Sequence, residues 1–359
     1  MIAVGVDVHK RQCTVAIQRE DGKVRLFAPM ENTRAGWQGL LSVLPAEAEI
    51  ALEVSTSGYF AMSVLEEAGW RERSHWVHTA GIETLRKQKY DRLDAKRLAR
   101  KLSVSHQERL PEAWFPPVEI RELRLRARQR CWLAVLRTQV KNRVQSLLQM
   151  HGRRPPVSDL FGAAGRQWLS GQVLPEATRA SVDQLLRVHD FVVEEIEKAE
   201  EYLRAVDGRF PELARLRTIP GIGPILAPVI WSEIGRLERF PSARALVNYT
   251  GLVPSLYQSG EVRIQGGITR QGSTWLRWAL VAAVNGALLG VNEFARHYRC
   301  LRRKKIAPVA KAAVARSLAS CVYGVLKSGG NYDRTHRLRR SVAPWKSLGA
   351  GQPGVAIGH

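Results

Sequence analysis

The sequence predicts a mixed α/β domain at its N-terminus, then a long helical hairpin and a mostly helical C-terminal region. Three observations predict this. Residues 1–104 alternate short apolar runs with helical patterns. Residues 119–152 read as a single long helix with no Pro or Gly in its interior, answered by a second, more acidic helix over 177–207. Residues 211–330 carry apolar spacing that is again mostly helical.

Taken in order, IAVGVDV, QCTVAIQ and KVRLFAP read as three strands joined by short turns, and Asp21-Gly22 marks a hairpin. Thr33 is placed to N-cap a helix over 35–44. The run AEIALEV forms a strand that ends near Glu53; a helix over 58–68, a strand near Trp76 and a helix containing KYDRLDAKRLAR follow. The order β-β-β-α-β-α-β-α, three antiparallel strands and then parallel strands with crossover helices, matches the ribonuclease-H-like arrangement. The three prolines of ERLPEAWFPPV mark a linker at 108–118. Leu123, Trp132, Leu136, Val140, Val144 and Leu147 recur at helical spacing on the first long helix. Leu185, Val188, Val192, Ile196 and Leu203 do so on the second. The expected division is therefore 1–107, 108–208 for the linker and coiled-coil hairpin, 209–330 for the C-terminal domain, and a basic, mobile tail over 331–359.

The 55 Lys+Arg against 33 Asp+Glu give a net charge of +22, which favours a polyanionic partner. An anionic membrane is the other reading, but no stretch looks like a basic amphipathic helix facing lipid. WALVAAVNGALLGV, at 278–291, is too short to span a bilayer and reads as a buried helix. No signal peptide is evident, so the expectation is a soluble, intracellular protein. Cys13, Cys131, Cys300 and Cys321 lie far apart with no CxxC pair, which argues against a zinc ribbon or disulfide framework. His75 and His78 in SHWVH read as structural. Between Arg86 and Arg154 there are 19 Lys/Arg against 6 Asp/Glu. A run such as RELRLRARQR repels itself, so this span, with Arg86, Lys87, Lys89, Arg124 and Arg128, is expected to face nucleic acid. A solvated helix face is the bland alternative.

Asp7, Glu53, Asp91 and Asp94 carry the chemistry. A carboxylate at the end of a buried strand costs free energy unless it is paired or binds a cation. Asp91 and Asp94, three residues apart, share one helix face. Acids converging from two strand ends and a helix make a divalent-metal site, and all-oxygen ligands favour Mg²⁺, with Mn²⁺ as the alternative. Salt bridges to Lys96 or Arg100 are the competing explanation.

Two further stretches invite contact with phosphate. LRTIPGIGPILAPVI, residues 216–230, fits a helix-hairpin-helix, with Gly221 and Gly223 in the hairpin exposing N–H groups at a helix N-terminus. Pro224 suits the first helical turn, whereas Pro228 would delay or kink that helix; a plain tight turn is the alternative. The stretch from Gly251 to Leu280 reads as a Gly- and Ser-rich loop followed by a helix. Its Arg263 and Arg270 could stabilise phosphate charge. By chemistry alone, Ser259 in YQSG is no better a nucleophile than Ser255 or Ser273.

GVDVHK, LEVSTSGY, KYDRLDAKRLA, IPGIGP, ALVNYTGLVPSLYQSG and VYGVLKSG occur in one order over about residues 1–330. In that order they resemble the DEDD-type transposases of bacterial insertion sequences with a C-terminal serine domain, the family numbered one hundred and ten. The resemblance implies a RuvC-like first domain whose Asp-Glu-Asp-Asp falls on Asp7, Glu53, Asp91 and Asp94. It also implies a nucleophilic serine at Ser259 that attacks a DNA phosphodiester, assisted by Mg²⁺ held on a neighbouring subunit's acids. Implied partners are donor and target double-stranded DNA, a noncoding bridge RNA, and other copies of the chain in dimers or tetramers built on the long helices. A cytoplasmic, nucleoid-associated location follows. Gln258 fills the variable position before the serine, and Val54-Ser55 replaces the more familiar Ala-Thr; neither removes a functional group. A metal-dependent junction nuclease without a covalent intermediate, and a catalytically inert nucleic-acid-binding relative, are the rival readings.

Overall fold

Strand β1, Ala3–Val8, is buried along its whole length because it lies between two other strands. This is the pattern of a central strand covered on both faces. The computed structural model describes residues 2–78, 91–105, 110–259 and 262–333, with the backbone alone at 207, 256–259 and 262–265. The chain divides into two compact units, Met1–Pro116 and Pro117–His359.

In the first unit β1 pairs antiparallel with β2, Gln12–Gln18, which pairs in turn with β3, Val24–Leu26, and β4, Met30–Glu31. On its other side β1 runs parallel to β5, Glu49–Glu53, and β5 runs parallel to β6, Ser74–Val77. The expected switch from antiparallel to parallel pairing thus falls at β1. Thr33 caps α1, Arg34–Val43, by accepting a hydrogen bond from the Gly36 amide, and Ser55 does the same for α2, Thr56–Glu67, through Gly58. Strand alternation sorts the core. Val4, Val6 and Val8 pack with Trp37, Leu40, Met62 and Leu65 of α1 and α2. Ala3 and Ala51 face Leu98 and Leu102 of α3, Asp91–Ser103. Gly5 decides how close α3 comes: a Cβ there would collide with the Ala95 carbonyl and the Ala99 amide.

In the second unit α4, Val118–Met150, and α6, Glu176–Ala205, form an antiparallel hairpin. Leu133 meets Val192 and Ile196, and Val144 and Leu147 cluster with Val182 nearer the tip, where α5, Ala163–Ser170, adds Leu169. Trp132 and Val188, expected inside the hairpin, are instead exposed, because the packed stripe runs through Cys131 and Leu133 and through Val192. Among the described residues six more helices follow: α7, Pro211–Arg217; α8, Leu226–Ile234; α9, Ala243–Tyr249; α10, Thr274–Leu288; α11, Glu293–Arg302; and α12, Ala307–Ser328. Pro224 lies before α8 rather than in its first turn. Pro228 falls in that first turn, where a missing N–H costs no helical bond. α10 is the buried helix expected from its apolar run. α12 is long and apolar enough to cross a membrane, and α10 with α11 passes the same test as a bent pair. Val314, Ala315, Leu318, Ala319 and Val322 of α12 are nonetheless buried in the same core as α10.

One expected loop is a β-hairpin. β7, Pro254–Ser259, pairs antiparallel with β8, Val262–Ile268, with an irregularity between Pro254 and Leu256. Glycines 266 and 267 and Pro254 mask two short runs of β-forming residues, Leu256-Tyr257 and Val262-Arg263-Ile264.

Candidate active site

Asp7 leaves β1 on the face that α3 covers, since it continues the alternation of Ala3 and Gly5. Its side chain is 7% exposed. Burial, opposed by His9 and reinforced by Asp91, Asp94 and Glu53, pushes its carboxyl up to about 6. The register of β5 on β1, Val6 beside Leu52, carries Glu53 to the strand end next to Asp7. Asp91 opens α3, which the small residues Gly5, Ala95 and Ala99 allow to lie directly on the strand.

His9 ties these elements together. Its Nε2 lies 3.3 Å from Asp7 Oδ2 and 3.3 Å from Asp91 Oδ1. Burial lowers its basicity, but Asp7 and Asp91 outweigh that and raise it. Asp7, His9 and Asp91 each offer a ligand atom, all within 4.8 Å of one another. A cleft of about 860 Å³ opens beside them, lined by His9, Lys10, Arg11, Asp91 and Arg92. Asp94 joins the field around Asp7 but pairs with Arg97 at 3.0 Å, a partner one residue on from the expected Lys96. Of the four acids, then, the structure gathers Asp7 and Asp91 about His9, with Glu53 and Asp94 near enough to act on Asp7. The sequence reading missed His9, although it lies in GVDVHK two residues after the buried acid, where a strand's alternation returns to the same side. His75, read as structural, sits between Glu49 and Glu112.

The remaining candidates belong to the second unit or lie outside the described residues, as Arg86, Lys87 and Lys89 and the tail from 334 onward do. Arg124 and Arg128 are employed differently from the expectation. Arg124 donates to the Ser232 carbonyl at 3.0 and 2.7 Å, and Arg128 forks onto the buried Glu233 carboxylate at 2.7 and 3.0 Å. The counter-charge for Arg124 and Arg128 is therefore internal, and Glu200 supplies another for Arg130. Gly221 has φ +90°, and a Cβ on it would strike Ala283 and Ala287, so it lets the turn before α8 press against α10. Gly223 is open to solvent on the side its Cβ would take. Ser259 is the last residue of β7, its backbone paired with Val262, and Arg263 pairs with Gln258. Ser255 and Ser273 have other work: Ser255 donates to the Gly267 carbonyl, while Ser273 caps α10 and donates to Glu233. Arg270 follows the hairpin with φ 57°, a left-handed conformation that non-glycine residues rarely hold.

Two acids and a histidine at the end of a mixed sheet's central strand, beside a cleft lined by Lys10, Arg11 and Arg92, offer ligand atoms for a divalent cation. Comparison with known proteins gives the particular family. Residues 4–152 match the DEDD transposase model of IS110, and residues 213–299 match the Transposase IS116/IS110/IS902 family. The proposed transposase y4rJ of Sinorhizobium fredii is 28% identical over 277 residues, 66% of this chain and 68% of its own. A second one from that organism, y4qE, is 27% identical over 293 residues, 77% of this chain and 70% of its own. The transposase for insertion sequence element IS1111A of Coxiella burnetii is 32% identical over 89 residues, 25% of this chain and 24% of its own. The chain belongs to the IS110 family of DEDD transposases.

Proposed function

We propose that this transposase is a site-specific recombinase that mobilises an insertion sequence through a serine-linked DNA intermediate. The carrying observation is the meeting of Asp7 and Asp91 about His9 at the end of a buried strand. On this reading the first unit is a RuvC-like, ribonuclease-H-like domain whose Asp7, Glu53, Asp91 and Asp94 hold the divalent cation that the family implies. The residues fit such an ion. Asp7 is buried at an energetic cost that a cation would remove, and two carboxylates and an imidazole present ligand atoms to one point. Bound Mg²⁺ or Mn²⁺ would polarise the scissile phosphate and stabilise the attacking and leaving oxygens.

The chain's own residues do the rest. Ser259 Oγ attacks the phosphorus and gives up its proton; a Ser–O–P ester forms, and the departing DNA oxygen takes a proton. Attack on that ester by a DNA hydroxyl reverses the exchange and rejoins the strand without an external energy source. Ser259 is assigned this role over Ser255 and Ser273 because it stands in the Tyr-Gln-Ser-Gly setting that the family resemblance singles out. Arg263 and Arg270 stabilise charge on the phosphate. The α7–turn–α8 segment acts as a helix-hairpin-helix whose Gly221 and Gly223 approach a nucleic-acid backbone. A bridge RNA supplies sequence recognition, the α4–α6 hairpin joins copies into dimers or tetramers, the acids act from a neighbouring subunit, and the protein works on bacterial DNA in the cytoplasm.

Denaturing gels on a nicked or junction DNA carrying the element's ends test this. A protein–DNA adduct should form in the wild type and vanish in Ser259→Ala and Asp7→Asn. Free ends produced by an active Ser259→Ala would make the enzyme a junction nuclease instead. Sequencing the RNA that copurifies with the protein tests the guide.

A further inference from the structure

We infer that the exposed face of α11 and the turn after it, Arg296, Arg299, Arg303, Lys304 and Lys305, docks the phosphate backbone of duplex DNA. This rests on the recombinase reading above and says where the second unit grips its substrate. Residues 291–305 hold six Lys/Arg against one acid, Glu293. Helical spacing separates the two sides of α11. Phe294, Tyr298 and Leu301 pack into the helical core, and Arg296, Arg299 and Arg303 lie opposite, exposed. Among the described residues no carboxylate pairs with any of the five cations. Glu293 does not neutralise them: its carboxylate oxygens are buried, without a hydrogen-bond partner among the described residues. Arg302 is set apart, since it donates to the Lys305 carbonyl and closes the helix end.

Like charges three and four residues apart destabilise a helix. For Arg124, Arg128 and Arg130 of α4 that repulsion is answered by Glu233 and Glu200; on α11 it is left for a polyanion. Arg124, Arg128 and Arg130 of α4 are thus committed to partners within the second unit, whereas the five cations of α11 and its turn are not. From Arg296 to Arg303 the face spans about 10 Å, roughly three nucleotides of rise along one DNA strand. It suits a duplex better than a single strand. Its aromatic rings, Phe294 and Tyr298, point into the core, so unpaired bases find no stacking platform.

Fluorescence anisotropy of the full chain with a labelled duplex of arbitrary sequence, titrated with KCl, tests this. Arg296→Gln/Arg299→Gln/Arg303→Gln should flatten the plot of log K against log salt by about 2 to 3, near 0.9 per lost phosphate contact. The urea midpoint should stay that of the wild type, since all three side chains are exposed. The triple Lys variant should restore the slope. Arg128→Gln should lower the midpoint and leave the slope alone. An unchanged slope in the triple Gln variant overturns the inference, as does a loss confined to single-stranded DNA or RNA. A wild type that binds no duplex at low salt overturns the recombinase reading as well, and the variant comparison keeps these failures distinct.

Discussion

Asp7 is the one acid of β1, and its side chain is buried. An acid in an otherwise apolar strand is costly, and the fold leaves that cost in place by holding its carboxyl at about 6. The ordinary aspartate value is 3.8, so between these two values the folded state keeps a proton that the unfolded state has lost. In the presence of a chelator, stability should therefore fall as pH rises from about 4 to about 6 and stay low above that. His9, raised by Asp7 and Asp91, contributes in the same sense, because its stabilising charge is lost as pH rises through its folded-state pKa. Asp7→Asn should remove the Asp7 part of the fall and stabilise the chelated protein at pH 7 by up to about 3 kcal/mol. Urea unfolding at pH 4 and pH 7 measures both effects. His9 itself escaped notice because its importance depends on Asp91, more than eighty residues away in sequence.

At the scale of elements, α3 on β1 is the joint that builds the site. Gly5 has no room for a Cβ against Ala95 and Ala99, so Gly5→Ala should push α3, and Asp91 with it, off the strand. Strain of this kind costs about 1–3 kcal/mol, and thermal denaturation should show it together with a weakened response to added metal. A second joint is Glu233, buried on α8 and bonded to Arg128 of α4 and Ser273 of α10. Glu233→Gln leaves Arg128 without its counter-charge, and removing one partner of a buried pair costs about 3–5 kcal/mol. A urea midpoint unchanged from the wild type would refute that role. Apolar periodicity sufficed to place strands β1, β2 and β5 and helices α1, α3, α4, α6 and α10. It failed for the β7–β8 hairpin, whose glycines interrupt the pattern. The like-charge argument could not foresee the partners of Arg124 and Arg128, because Ser232 and Glu233 lie more than a hundred residues further along the chain.

Across the whole molecule, the transposase family match agrees with the polyanionic partner that the net charge of +22 favours. The most basic span holds arginines turned inward to Glu233 and Glu200, while a shorter run on α11 keeps its cations exposed. The two compact units divide the proposed chemistry between them, acids in Met1–Pro116 and the serine hairpin in Pro117–His359. The account turns on the first of these holding a divalent cation. Titrating the protein with Mn²⁺ and following the free-ion signal by electron paramagnetic resonance tests that directly. The wild type should take up Mn²⁺, and Asp7→Asn and Asp91→Asn should each weaken uptake by at least about tenfold. Uptake by both variants equal to that of the wild type would contradict it.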